Sequence, residues 1–209
     1  VLVDNWASKV SNRNTVLLRN AVLVGGLAVT TAVAAQISIP LPNTPVPLTL
    51  QTLAVLAGAA ALGSIRASLA QGLYLLLALV GLPVLAPQND GSHTSGHAVL
   101  SLPTLGYLVG FIVSSFVVGK IAELGVTRNY LLTGLAYVAG SAVIYLFGAS
   151  WLAHAIHVNA AMAIEYGVRP FLLGDVIKAV VAGALLPSLW KLVRGSDGES
   201  NNSSESALL

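Results

Sequence analysis

Long apolar runs, broken by short polar or proline-rich stretches, set the rhythm of this chain. A helix that crosses the ~30 Å hydrocarbon core of a bilayer needs about 20 mostly apolar residues, and six runs are candidates. The first extends from Val16 to Ile39 and stops at Pro40-Leu41-Pro42; the second goes from Leu48 to Gly63. The third follows almost at once, from Ala67 to Leu85, which makes Ser64-Ile65-Arg66 a tight turn. A polar stretch, Pro87–Gly96, leads to a fourth span from Leu102 to Ile121, a fifth from Tyr130 to Trp151 and a sixth from Pro170 to Leu192. Pro170 suits the first position of a helix, where its missing N–H would have no partner anyway. The pattern predicts an all-α integral membrane protein, a six-transmembrane-helix bundle over residues 1–194. The tail 195–209, rich in Ser, Asn and Glu, has little to bury and is expected to be disordered. The first apolar run is too long for a removable signal, and no small-residue cleavage pattern follows it.

Composition agrees. Of 209 residues, 56% are hydrophobic and only 9% charged, against about 25% charged in soluble domains, so a soluble fold could not cover its surface. Cysteine is absent, which excludes disulfides and thiolate metal sites. The net charge of +2 is too small to call for nucleic acid. The placement of the cations is more informative. Lys9, Arg13, Arg19, Arg66, Lys120, Arg128, Lys191 and Arg194 fall at the N-terminus, after the second and fourth spans, and at the C-terminus. Only Arg169 falls on the other side, and Lys178 lies within a span. By the positive-inside rule both termini are then cytoplasmic, and the connections Pro40–Pro47, Pro87–Leu100 and Leu152–Arg169 face outward.

Asp175 and Lys178 are the two charged residues that lie inside an apolar span away from its ends. A charge at the bilayer centre costs at least ~2.5–3.5 kcal/mol on insertion scales, so such groups face protein or water. At i and i+3 they share a helix face, roughly 7 and 12 Å below Pro170 at ~1.5 Å per residue. Either they form an internal salt bridge that locks packing, or they clamp a ligand from an outward cavity. Thr49 and Gln51 sit at the outer mouth of the second span: Thr49 reads as a helix cap, Gln51 as a ligand candidate that can both donate and accept. Tyr107 is either an interface-belt residue or a pocket wall. The histidines pair as His93/His97 and His154/His157 in outward connections, which leaves open a transition-metal site completed by Asp90 or Glu165.

Small residues mark close helix contacts. Ala21, Gly25, Ala28, Ala32 and Ala35 make a seam along the first helix, fit either for the chain's own bundle or for a separate membrane protein. Gly106, Gly110 and Ser114 make a shorter one on the fourth, read as internal packing. There is no phosphate-binding Gly-x-x-x-x-Gly-Lys-Ser/Thr loop, no Gly-x-Ser-x-Gly elbow and no His-Glu-x-x-His helix. A ligand-capturing membrane subunit fits better than an enzyme or a self-powered pump.

Four stretches then carry a resemblance: Pro45-Val-Pro-Leu-Thr-Leu-Gln-Thr52, Gly81-Leu-Pro-Val-Leu-Ala86, Pro103-Thr-Leu-Gly-Tyr-Leu-Val-Gly-Phe111 and Arg169-Pro-Phe-Leu-Leu-Gly-Asp-Val-Ile-Lys178. In order and spacing they resemble the BioY family, the biotin-specific substrate-binding subunits of energy-coupling-factor transporters. The resemblance implies a multi-pass protein of the bacterial cytoplasmic membrane that captures biotin with high affinity under a roof of loops and needs no cofactor. It places ligand contacts on Asp175, Lys178 and Asn89, to which the chemistry of the residues themselves adds Gln51 and Tyr107. An ammonium suits the carboxylate of biotin and a carboxylate its ureido N–H, so the expectation is that Lys178 meets the first and Asp175 the second. It also implies that Ala28 and Ala32, in Ala28-Val-Thr-Thr-Ala32, dock to an energy-coupling transmembrane subunit driven by paired ATPases. The chain departs from the family pattern at Pro87-Gln-Asn-Asp-Gly-Ser-His93, where glycines are usual, at Leu105 in place of Gly and at Leu48 in place of Phe. A same-fold subunit for another vitamin, such as thiamine or riboflavin, and a histidine-based metal-ion permease are the alternatives.

Overall fold

The computed structural model describes residues 13–42, 44–88, 90–125 and 129–184. Helix α1, Arg13–Gln36, leads into a two-stranded antiparallel ribbon, β1 (Ser38–Ile39) and β2 (Leu48–Thr49), with Ser38 opposite Thr49 and Ile39 opposite Leu48. Helices α2 (Gln51–Leu62) and α3 (Ser64–Leu79) follow, then a 3-10 turn at Gly96–Ser101. Long helices α4 (Leu105–Glu123) and α5 (Tyr130–Ala155) come next, then the short α6 (Ala160–Gly167). A 3-10 turn, Arg169–Phe171, with Pro170 in its first positions, opens α7, helical over 172–184. The residues expected beyond 184, including the tail 195–209, lie outside the described residues.

The described helices lie within or near the expected apolar runs, but several boundaries move; α3, for instance, ends at Leu79 instead of Leu85. The first helix ends at Gln36, because residues 38–39 are drawn into the ribbon by pairing with 48–49. The second turn is at Gly63, not Ser64-Ile65-Arg66, which already belong to α3. Gly63 has φ 85°, a left-handed conformation that a side chain disfavours. Its N–H donates to Ala59 O at 3.0 Å, and its own carbonyl accepts from Ala67 N at 3.2 Å, so one residue ends α2 and begins α3. Asn129 and Asn159 cap α5 and α6 by accepting from backbone N–H groups in the first turn.

The helices alternate in direction, and side-chain hydrogen bonds show which ends meet. At one end Thr44 donates to Tyr166 O, Tyr107 to Gly167 O, Trp151 to Leu102 O, and Gln36 to the carbonyls of Val84 and Leu85. At the other, Glu123 accepts from Ser64 and Arg66 donates to Asn20. The loops of residues 37–50, 80–104 and 156–171 thus gather at the first end. Among described residues that end carries Arg169, and the other carries Arg13, Arg19, Arg66 and Lys120.

Helix α4 runs through the centre, packed on α2, α3 and α5. Its Gly106 and Gly110 lie against Phe147, Trp151 and Ile144 of α5, where a Cβ would collide at Gly106 and fit only tightly at Gly110, and Ser114 donates to Gly140 O at 2.9 Å. That seam is internal, as read. The seam on α1 is different. Ala28 and Ala35 are wholly enclosed, facing α2 and α3, and Ala32 is half-buried, whereas Leu18, Val22, Val29 and Val33 stand exposed. Ala28 thus faces its own bundle and not the exposed side of the helix. Helices α1, α4 and α5 are long and apolar enough to cross a membrane; α2 and α3 are apolar but shorter. Their exposed faces carry valine, leucine, isoleucine and phenylalanine, the surface expected against lipid rather than water.

Candidate functional site

A cleft at the loop-bearing end holds about 730 Å³ of space not filled by protein atoms, a figure that includes open solvent. Its walls are apolar: Val46, Pro47 and Leu48 from the ribbon loop, Leu85 and Ala86 from the loop after α3, Leu108 and Phe111 of α4, and Phe171. The polar groups converge at one place.

Helix α7 with the 3-10 turn before it buries Phe171, Asp175, Lys178 and Ala182, spaced by 4, 3 and 4 along one face, while its other face is exposed. This periodicity aims both ionisable side chains at the cleft; each residue is only 7% exposed. Lys178 Nζ lies 3.2 Å from Asp175 Oδ1 and donates to Thr52 Oγ1 at 2.7 Å. Tyr145 donates to Asp175 Oδ2 at 2.7 Å, and Thr52 Oγ1 lies 3.5 Å from Oδ1. A buried charge is tolerable only when paired and hydrogen-bonded, and here α2, α5 and α7 together supply the partners. The ammonium has three donors and the carboxylate about four acceptor positions, so both groups keep capacity for a ligand.

Gln51 and Tyr107 also line the cleft. Gln51 Nε2 donates to Tyr74 OH at 2.9 Å, and Tyr74 donates onward to Val84 O at 3.1 Å. Thr49 donates to Gln51 Oε1 at 3.1 Å and accepts from its backbone N–H at 3.3 Å. Thr49 thus touches the helix start from within β2, but the N-cap position itself belongs to Leu50, not to Thr49. Tyr107 is buried with its hydroxyl on Gly167 O, so it forms a wall and not a membrane-surface belt. Asn89 lies outside the described residues. Beside it, Ser92 donates to Asp90 from its hydroxyl at 2.6 Å and its N–H at 2.9 Å, holding that carboxyl below its ordinary range.

The histidines do not converge. His93 Nδ1 lies 3.0 Å from Leu85 O, and the rings of His154 and His157 are 6.4 Å apart. Among the described residues no three His, Asp or Glu side chains come together. Thr52 and Tyr145, at the ion pair, and Gln88 and Thr104, at the loop end, are polar lining residues that reasoning from sequence passes over. Thr52 ends a stretch already singled out and sits in the first turn of α2, which is a usable signal. Nothing in the sequence links Tyr145 to Asp175, 30 positions away; only the packing of α5 beside α7 does.

Fold and site together define a helical membrane protein with a loop-covered cleft for a small molecule. The model of the BioY family matches residues 7–195, and the chain belongs to that family. It is 40% identical over 176 residues to the biotin transporter BioY of Thermotoga maritima, covering 84% of this chain and 98% of the relative. It is 36% identical over 148 residues to that of Rhizobium etli, 68% of this chain and 76% of the relative. The probable biotin transporter of Pyrococcus horikoshii is 37% identical over 161 residues, 77% of this chain and 89% of the relative. The crystal structure of the S-component for biotin from an ECF-type ABC transporter superposes with a TM-score of 0.76 at 23% identity, covering 87% of this chain and 95% of that one, and shares the fold.

Proposed function

We infer that this protein captures biotin from the outward side of a bacterial cytoplasmic membrane, with Asp175 and Lys178 as the central ligand contacts. The relatives' activity supports the ligand. The observation that carries the site is the buried pair at the cleft wall, with donor and acceptor 3.2 Å apart. That spacing argues against the division of labour expected from sequence. Two groups in contact cannot hold opposite ends of biotin, whose carboxylate and ureido ring are separated by the whole valerate chain. A donor beside an acceptor instead matches the ureido edge, where a carbonyl oxygen sits next to N–H. Lys178 then donates to the carbonyl and Asp175 accepts from the N–H, while the carboxylate points to the loop end lined by Gln88 and Thr104. A carboxylate at the pair itself would meet the negative charge of Asp175. Gln51, Tyr107 and Asn89 complete the proposed contacts.

Six crossings with cytoplasmic termini fit the alternation of helices and the position of the cations. The chain contributes recognition, and a coupling subunit with paired ATPases contributes energy. Such a subunit would meet the exposed α1 face of Val22, Gly26, Val29 and Val33, with half-buried Ala32 at its edge.

Calorimetry on the purified protein tests the site. Removing one member of a buried charged pair typically costs ~2–5 kcal/mol, so Asp175→Ala and Lys178→Ala are each expected to bind biotin at least ~30-fold more weakly, with thermal melts confirming folding. Lys178→Ala should keep the wild-type ratio between biotin and its methyl ester. Loss of that ratio would return the lysine to the carboxylate, and unchanged biotin affinity in both variants would sink the site.

A further inference from the structure

The short hydrogen bonds of the cluster are not the ones within the ion pair. Tyr145 to Asp175 Oδ2 and Thr52 to Lys178 are both 2.7 Å, whereas Lys178 to Asp175 is 3.2 Å and Thr52 to Asp175 is 3.5 Å. Charge-assisted N–H···O bonds at their best are ~2.7–2.9 Å, so the direct pairing is slack. Each charged group is held more tightly by a neutral hydroxyl from a neighbouring helix, Asp175 by α5 and Lys178 by α2.

We propose that Tyr145 and Thr52 are positioning residues that fix the donor–acceptor order of the site, Tyr145 orienting the carboxylate and Thr52 the ammonium. The inference rests on the ureido reading above. A ligand that enters between the two charges replaces the slack Lys178–Asp175 contact, and each charge keeps its own hydroxyl while it turns to the ligand. The tyrosine O–H donates to Oδ2, which leaves Oδ1 to accept from a ligand N–H. The Thr52 oxygen takes one ammonium hydrogen, which aims the others at Asp175 and at the cleft. Without these hydroxyls the two charges would collapse on each other, since each would be the other's remaining partner.

The test pairs two variants with two ligand analogues, by calorimetry on the full chain with melting temperatures recorded. One analogue is biotin methylated on both ureido nitrogens, which offers Asp175 no donor. The other is 2-thiobiotin, whose sulfur is a weak acceptor for Lys178. Hydrogen bonds to charged groups are strong enough that Tyr145→Phe should bind biotin about 10-fold more weakly while the N-methylated analogue binds as to wild type. Thr52→Val should weaken biotin about 10-fold and leave thiobiotin unchanged, with Thr52→Ser restoring wild-type binding. The inference is overturned if each variant weakens biotin and both analogues by one common factor, if the two patterns are exchanged, or if both variants bind biotin as wild type does. That last result alongside weak binding by Asp175→Ala would remove only this inference. Wild-type binding by Asp175→Ala and Lys178→Ala would remove the reading beneath it as well.

Discussion

Tyr107 shows how much of the cleft depends on atoms that are missing. Its ring lies against Gly148 of α5, and its hydroxyl reaches the carbonyl of Gly167 in α6; a Cβ on either glycine would strike it. Gly148→Ala is therefore expected to push the ring out of the cleft wall. Overpacking of this kind typically destabilises by about 1–3 kcal/mol, so both the melting temperature and biotin affinity should fall. Gly25 on α1 is the opposite case, with nothing within 4 Å of where a Cβ would stand. Gly25→Ala should leave affinity unchanged and raise the melting temperature slightly, since alanine is favoured over glycine in a helix by up to ~1 kcal/mol. A destabilised Gly25→Ala would mean that α1 packs more closely than described.

Among elements, the junction of α2 and α3 is held from outside. Glu123 Oε1, at the end of α4, accepts from Ser64 N at 2.9 Å and Ser64 Oγ at 2.7 Å, while Lys120 pairs with the other carboxylate oxygen at 2.9 Å. A carboxylate at the start of α3 satisfies an otherwise unpaired N–H and complements the helix dipole, although it comes from another helix. Glu123→Ala should thus cost about 0.5–2 kcal/mol, the range for loss of a cap, in thermal melts. Biotin affinity should be untouched, because this junction lies at the end opposite the cleft. Helix α1 supports a second comparison. Ala28→Trp is expected to damage folding and binding together, because Ala28 is enclosed. Gly26→Trp, into open space, should spare biotin binding and block co-purification with a coupling subunit. If Gly26→Trp assembles normally, that face of α1 is not the docking surface.

For the whole molecule, the testable property is sidedness. The loops that cover the cleft carry few cations, and the opposite end carries Arg13, Arg19, Arg66 and Lys120. Single cysteines at Ser92 and Ser196 can be labelled in intact cells with a membrane-impermeant thiol reagent, since the chain has no cysteine of its own. Ser92→Cys should react and Ser196→Cys should not; the reverse pattern would invert the orientation and turn the cleft to the cytoplasm.

The apolar helices, the loops that separate them and the helix face shared by Asp175 and Lys178 are legible along the chain, because these depend on local hydrophobicity, proline and a spacing of three residues. So is the family, through four short stretches whose order survives in the chain. The rest depends on how the helices pack. Packing turned Ala28 inward, since whether a small residue faces its own bundle or a partner depends on the rotation of the helix. It enclosed Tyr107 by bringing α5 and α6 against α4. It also brought Asp175 and Lys178 within 3.2 Å and added Thr52 and Tyr145 from other helices. That separation is what the proposal of a single shared end of the ligand rests on, and no pattern along the chain encodes a distance between side chains.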